Sequence, residues 1–134
     1  MLLEVKEVIA KTTVPAADIC ICSDGIMRIH IKVKNTFEIS DSMQIVEART
    51  KLAKGNKYPV LYTTESSFVT PSKEVSNYVA SEGRSELVVA DAFVVKSIPQ
   101  RLAAKTYYLF KKPVRPTAFF SNEKEALKWL NKFL

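Results

Sequence analysis

The run Leu87-Val88-Val89-Ala90-Asp91-Ala92-Phe93-Val94-Val95 constrains this chain more than any other stretch. It is almost unbroken in apolar side chains and rich in β-branched ones. A strand with only one buried face alternates apolar and polar residues, whereas a continuous apolar run needs cover on both faces. The run is therefore predicted to be an interior strand of an α/β sheet, with helices over both sides. Asp91 interrupts it, and a carboxylate at such a place needs a partner or an opening to water. A structural hydrogen bond or salt bridge is the expected role for Asp91, ahead of catalysis.

The rest of the chain arranges itself around that strand. Residues 1–16 read equally as an edge strand or a short helix, and Pro15 ends whichever forms. Ile19-Cys20-Ile21-Cys22 and Ile26 to Val33 flank Ser23-Asp24-Gly25, the signature of a tight hairpin. In its second strand Ile29, Ile31 and Val33 share one face, and Arg28, His30 and Lys32 the other. Ser40 or Asp41 can cap a first helix from about Ser42 to Lys54, with Gln44 completing a capping box and Gly55 the stop. Tyr58 to Thr64 is the third strand, parallel to the second because a helix lies between them. Thr70 and Pro71 predict the cap and first residue of a second helix that fades at Ser81-Glu82-Gly83. A third helix is predicted from about Pro99 to Lys111, then a fifth strand at Thr117 to Phe120, then a fourth helix capped by Ser121 or Asn122. The expected architecture is a single α/β domain over residues 1–134: a mixed five-stranded sheet with an N-terminal hairpin and four helices.

Composition narrows the function classes. Hydrophobic residues make up 47% and charged residues 25%, ordinary globular usage for a chain long enough to bury a core. No apolar run approaches the roughly 18 residues of a membrane span, and Met1 to Glu7 lacks a signal-peptide layout. A cytoplasmic location is the expectation. The net charge of +6 is scattered along the chain, which argues for a solvated surface and against a nucleic-acid partner. Cys20 and Cys22, with His30 as the single histidine, fall short of the four ligands of a structural zinc site, so no metal is expected. The two cysteines read as small, largely buried residues in a reducing compartment.

In a parallel sheet ligands settle beyond the carboxyl ends of the strands, where following helices present their first amide groups. That edge would gather Thr63 to Ser67, Ser66 among them, with Thr70 and Ser72, then Lys96, Ser97, Gln100 and Arg101, then Ser121 and Asn122, as an anion rim or a place for a phosphoryl group. Helix capping and turn formation explain the same hydroxyls without any ligand. The chain holds three glycines, at 25, 55 and 83, and so no glycine-rich phosphate loop. No Ser-His-Asp or Cys-His set follows from spacing, and His30 lies far in sequence from the rim. No catalytic residue, enzyme activity or cofactor is predicted. Tyr107 and Tyr108 cannot both face one core from the same helix, which makes them candidates for a protein contact, a homodimer, or an apolar pocket.

Several local motifs together resemble the STAS domain, the fold of anti-sigma-factor antagonists, and more closely a small bacterial branch of that group related in fold to lipid-binding CRAL-TRIO domains. The residues that carry the resemblance are Asp24-Gly25-Ile26, Lys57-Tyr58-Pro59-Val60-Leu61, Glu74-Val75-Ser76-Asn77-Tyr78, Ala92-Phe93-Val94-Val95-Lys96-Ser97, Lys112-Pro113, Pro116 to Ser121 and Glu125 to Leu130. The similarity spans residues 18 to 134, with 1–16 as a variable segment. It implies a sheet wound progressively with its helices and a non-enzymatic regulatory or protein-interaction role with a protein partner. By the same resemblance Thr70 and Ser72 are the available phosphoacceptors. The Asp-Ser-Ser-Gly pattern of the antagonists is absent, and Thr63 stands where the branch carries an Asp. The lipid-carrying siblings imply the alternative, a small-ligand protein binding an anion or lipid at the carboxyl-end rim.

Overall fold

A computed structural model of the chain describes residues 7–34, 36–65, 70–71, 87–97, 99, 101–102 and 115–134. Its elements are β1 (Val8–Val14), β2 (Ala17–Cys22), β3 (Met27–Ile31), β4 (Thr36–Phe37), α1 (Ile39–Ala53), β5 (Tyr58–Thr64), β6 (Thr70–Pro71), β7 (Val88–Val94), β8 (Thr117–Phe120) and α2 (Glu123–Leu130), closed by a 3-10 turn over Asn131–Phe133. Six strands form one mixed sheet in the order β1-β2-β3-β5-β7-β8, and β4 pairs with β6 in a separate short ladder. The first three strands are antiparallel; β3, β5, β7 and β8 all run parallel.

The apolar run is an interior strand, as its pattern requires. Strand β7 lies between β5 and β8, with Val88, Ala90, Ala92 and Val94 buried. Helix α2 packs on one side of the sheet, bringing Ala126 and Leu130, neither with measurable exposure, against Leu61, Ala90, Ala92 and Val94. The two alanines of β7 leave room for that close approach. Helix α1 covers the other side, where Ile45, Ala48 and Ala53 meet Ile19, Ile21, Ile29, Val60 and Tyr62. Fully burying one such Ile or Leu contributes about 1.5–3 kcal/mol, so these two layers are the main support of the sheet. Pro59 has no N–H to give, and it sits where the β5–β7 register slips, Tyr58 facing Val88 and Pro59 facing Ala90.

The hairpin turns at Asp24-Gly25. Gly25 has φ +82°, a left-handed value that glycine adopts without strain, and a Cβ there would lie 3.1 Å from Leu134 Cδ2. The Asp24 carboxylate accepts from the Ile26 N–H at 3.1 Å and takes both terminal nitrogens of Arg28, at 3.0 and 2.8 Å. On the next strand pair Lys32 and the Thr13 hydroxyl hold Asp18 at 3.1 and 3.0 Å and lower its pKa, Lys32 being the larger cause.

The structure departs from the sequence expectation in four places. The sheet has six strands rather than five, because Val8–Val14 resolves the ambiguous N-terminal segment into an edge strand paired with β2. Helix α1 begins at Ile39 rather than Ser42. Asp41 acts from inside its first turn, its carboxylate accepting the Glu38 N–H at 2.9 Å. Thr70 and Pro71 are extended and pair with Thr36 and Phe37, so they do not open a helix; a residue before proline is pushed out of helical geometry. Two helices, not four, stand complete among the described residues. The second expected helix lies outside them, and of the third only residues 99, 101 and 102, all helical, are described. No helix among the described residues is long and apolar enough to cross a membrane.

Asp91 has the partner its position demanded. Arg115 Nε donates to Asp91 Oδ2 at 2.6 Å, with side-chain exposures of only 9% and 6%. Removing one partner of a buried pair strands the other charge. Arg115→Ala should therefore cost about 3–5 kcal/mol in urea denaturation, whereas Asp91→Leu with Arg115→Met should recover most of that loss. Equal losses in the single and double variants would show that the pair is not what Arg115 supplies.

Candidate functional site

The four parallel strands end together at Ile31, Thr64, Val94 and Phe120, and the ladder runs slightly past them. Glu65 N–H donates to the Ile31 carbonyl at 3.1 Å, and Val95 N–H to that of Phe120 at 2.8 Å. On the α2 side of this edge lies a pocket of about 230 Å3 lined by His30, Thr63, Thr64, Val94, Lys96, Asn122 and Glu123.

The parallel register builds this pocket. It sets His30 of β3 directly beside Thr63 of β5, on the face opposite Ile29 and Tyr62. His30 Nδ1 and Thr63 Oγ1 share a hydrogen bond of 2.7 Å. Glu65 follows β5, and its Oε1 stands 4.0 Å from His30 Nε2, with both side chains about two-fifths exposed. That separation is too long for a hydrogen bond. Lys96, two residues past β7, is exposed at the opening. Asn122 caps α2, its Oδ1 accepting from Glu125 N–H at 2.9 Å, and Glu123 begins the helix. The pocket thus joins an imidazole, two hydroxyls, an ammonium and a carboxylate within reach of solvent. It is suited to hydrogen bonding and charge pairing with a polar group presented from outside.

The predicted rim residues, and the predicted contact residues Tyr107 and Tyr108, differ in where the structure places them. Thr63, Thr64, Lys96 and Asn122 line the pocket. Ser97 is half-buried beside it and its carbonyl accepts from Arg101 N–H at 3.0 Å, while Ser121 is exposed next to the α2 cap. Arg101 is half-buried, with its Nε shielded from solvent and unpaired. Thr70 has its backbone committed to β4. Ser66, Ser67, Ser72, Gln100, Tyr107 and Tyr108 lie outside the described residues. His30 and Glu123 were the polar lining residues missed. His30 appeared remote because 33 residues separate it from Thr63. The available signal was that a β3–β5 parallel pair aligns the ends of both strands.

Cys20 and Cys22 share one face of β2, their sulfurs 4.0 Å apart in a weak thiol–thiol hydrogen bond with no disulfide between them. Burial, and then the neighbouring Cys22, push the Cys20 thiol pKa up. No three His, Cys, Asp or Glu side chains among the described residues gather as metal ligands.

Two measurements address these groups. Thr63→Val should cost about 1 kcal/mol of stability and shift the His30 nitrogen resonances; unchanged spectra would mean that the bond is not populated in solution. Cys20 should react with iodoacetamide at pH 8 more slowly than a cysteine in a short peptide, because less of it is thiolate. A rate matching the peptide's would contradict its buried setting.

Comparison with known proteins adds a family and a fold. The profile of the family described as Domain of unknown function (DUF7793) matches residues 20–134, and the chain belongs to that family. Among solved structures it is similar to an uncharacterized protein of the DUF3478 family with a SpoIIAA-like fold, from Shewanella loihica PV-4. The two share 16% identity with a TM-score of 0.55, over 97% of this chain and 98% of that one. The sheet and its order therefore belong to the SpoIIAA-like, or STAS-like, fold. No curated protein matches the sequence.

Proposed function

We propose that this member of the DUF7793 family is a non-enzymatic, STAS-like regulatory module that works by protein contact through the polar carboxyl edge of its sheet. The observation that carries the reading is the exposed, mixed-charge set His30, Glu65, Lys96 and Glu123 at that edge. Such a set suits a surface that must release its partner again. Exposed pairs of this kind contribute about 0–1 kcal/mol each, so complementarity sets the choice of partner more than its affinity.

The order hydroxyl, imidazole, carboxylate invites comparison with a nucleophilic triad, and its geometry supports the non-enzymatic reading. The bond to Thr63 uses Nδ1, and Glu65 stands 4.0 Å from Nε2, too far to orient the ring. A second reading follows from the pocket itself. At about 230 Å3 it falls below the roughly 300–1,000 Å3 of sites for drug-sized ligands, so a small anion fits it better than a lipid.

The test is capture from the protein's own cells with tagged wild type, Lys96→Glu and Glu65→Lys. A partner present in stoichiometric amount with wild type should fall about tenfold with at least one charge reversal, equivalent to about 1.4 kcal/mol. Both variants retaining every protein that wild type captures would sink the edge as the contact surface. A small anion that stabilises wild type but not Lys96→Glu, with no protein captured, would favour the second reading.

A further inference from the structure

On the opposite side of the sheet from this pocket, helix α1 buries an arginine. Ile45, Arg49 and Ala53 fall four residues apart on the inner stripe of α1, and Arg49 is only 4% exposed. Its Nη1 donates to the hydroxyl of Tyr62, itself buried on β5. The remaining two nitrogens, Nε and Nη2, are shielded from solvent and have no hydrogen-bond partner among the described residues. Nor does any carboxylate among those residues pair with Arg49.

The identity of the two unpaired nitrogens is informative. A guanidinium is planar, and Nε–H and the adjacent Nη2–H point in parallel along one of its edges. That edge is the fork that binds a carboxylate or phosphate through two parallel hydrogen bonds. Tyr62 occupies Nη1, outside that fork, and holds the plane in place. A guanidinium stays charged throughout the physiological range, so Arg49 cannot relieve its burial by losing a proton. Arg115, with a side chain 9% exposed, shows how this fold treats such a charge when the partner belongs to the chain: its Nε lies 2.6 Å from Asp91.

From this contrast we infer that Arg49 is the anchor of a second ligand site, in which the Nε–Nη2 edge takes an oxyanion, a carboxylate or a phosphate, between α1 and β5. Tyr62 stacks on Phe93 with centroids 4.5 Å apart, and Phe93 on Phe119 at 5.4 Å, so an aromatic row continues along the sheet from the anchor. The inference does not depend on the protein-contact reading, since the site lies on the other face and shares no residue with that edge.

Thermal unfolding in a Tris chloride buffer free of oxyanions, with inorganic phosphate, acetate or octanoate added, tests it. At about ten times its Kd, the matching anion should raise the wild-type midpoint by about 3 °C or more. Phosphate acting alone identifies a phosphoryl ligand. Acetate and octanoate acting alike identify a bare carboxylate, and octanoate acting well beyond acetate identifies an acid with an apolar tail along the aromatic row. Arg49→Met should abolish the response and, without added anion, melt no lower than wild type, because it removes an unpaired buried charge. Arg49→Lys, which keeps the charge and loses the fork, should bind at least about tenfold more weakly.

The inference is overturned if none of the three anions moves the wild-type midpoint, or if they move Arg49→Met equally. It is overturned too if Arg49→Met alone melts several degrees lower in the anion-free buffer, since the fork would then be filled by an acid of the chain itself. Should Arg49→Met fail to fold, calorimetric titration of Arg49→Lys decides on the same terms, and an affinity equal to wild type overturns the inference.

Discussion

The polar edge of this protein exists because four neighbouring strands run the same way. Parallel pairing of β3, β5, β7 and β8 brings their carboxyl ends into one line, and the ladder bonds of Glu65 and Val95 extend that line past the strands. Strand β7 is its keystone. Because α2 and the α1-side core cover β7 on its two faces, its side chains can be almost wholly apolar, and the polar residues are displaced to its exit at Lys96. An antiparallel β5 would set Thr63 at the far end of the sheet from His30. The pocket is thus a consequence of strand direction before it is a consequence of any side chain.

This explains which parts were legible in the sequence. Strands whose surroundings are uniform announce themselves: Tyr58–Thr64 and Thr117–Phe120 occur where the pattern of apolar residues and prolines predicts them, and β7 within one residue. Asp91 was legible as a carboxylate in need of a partner, although Arg115 could not be named, because a contact across 24 residues depends on the tertiary fold. Strand β1 was ambiguous for a physical reason. It is an edge strand with Val8 and Ile9 53% and 63% exposed, so burial imposes no clean alternation on it. Thr70 and Pro71 misled because proline suits a helix start and an extended segment equally well, and the pairing with β4 decides between them.

The site was half legible for a related reason. Thr63, Lys96 and Asn122 follow from the rule that ligands gather at strand ends, which needs only the order of elements. His30 needs the register as well, and register is fixed by how the buried faces of β3 and β5 mesh. Arg49 was legible in principle and overlooked, because Glu47, Thr50 and Lys51 beside it make that part of α1 look like a solvent face. Its spacing of four residues from both Ile45 and Ala53 places it inward nonetheless.

The two faces of the sheet therefore handle charge in opposite ways. On the α2 side Lys96, Glu65 and Glu123 stay within reach of water around His30, where each charge costs little to keep and contributes little by itself. Such groups can change partners, which suits a contact surface. On the α1 side Asp91, Arg115 and Arg49 are buried, and there a charge costs several kcal/mol unless matched. Asp91 and Arg115 match each other and brace the strand that holds the edge in line. Arg49 has no such carboxylate among the described residues, and its whole bidentate fork is left unmatched there, where Asp91 leaves only the single atom Oδ1 without a hydrogen bond. Water satisfies an exposed charge left unpaired, whereas a buried one is satisfied only by a group of complementary shape and charge. A partner at the edge can therefore be chosen loosely, and an occupant at Arg49 cannot.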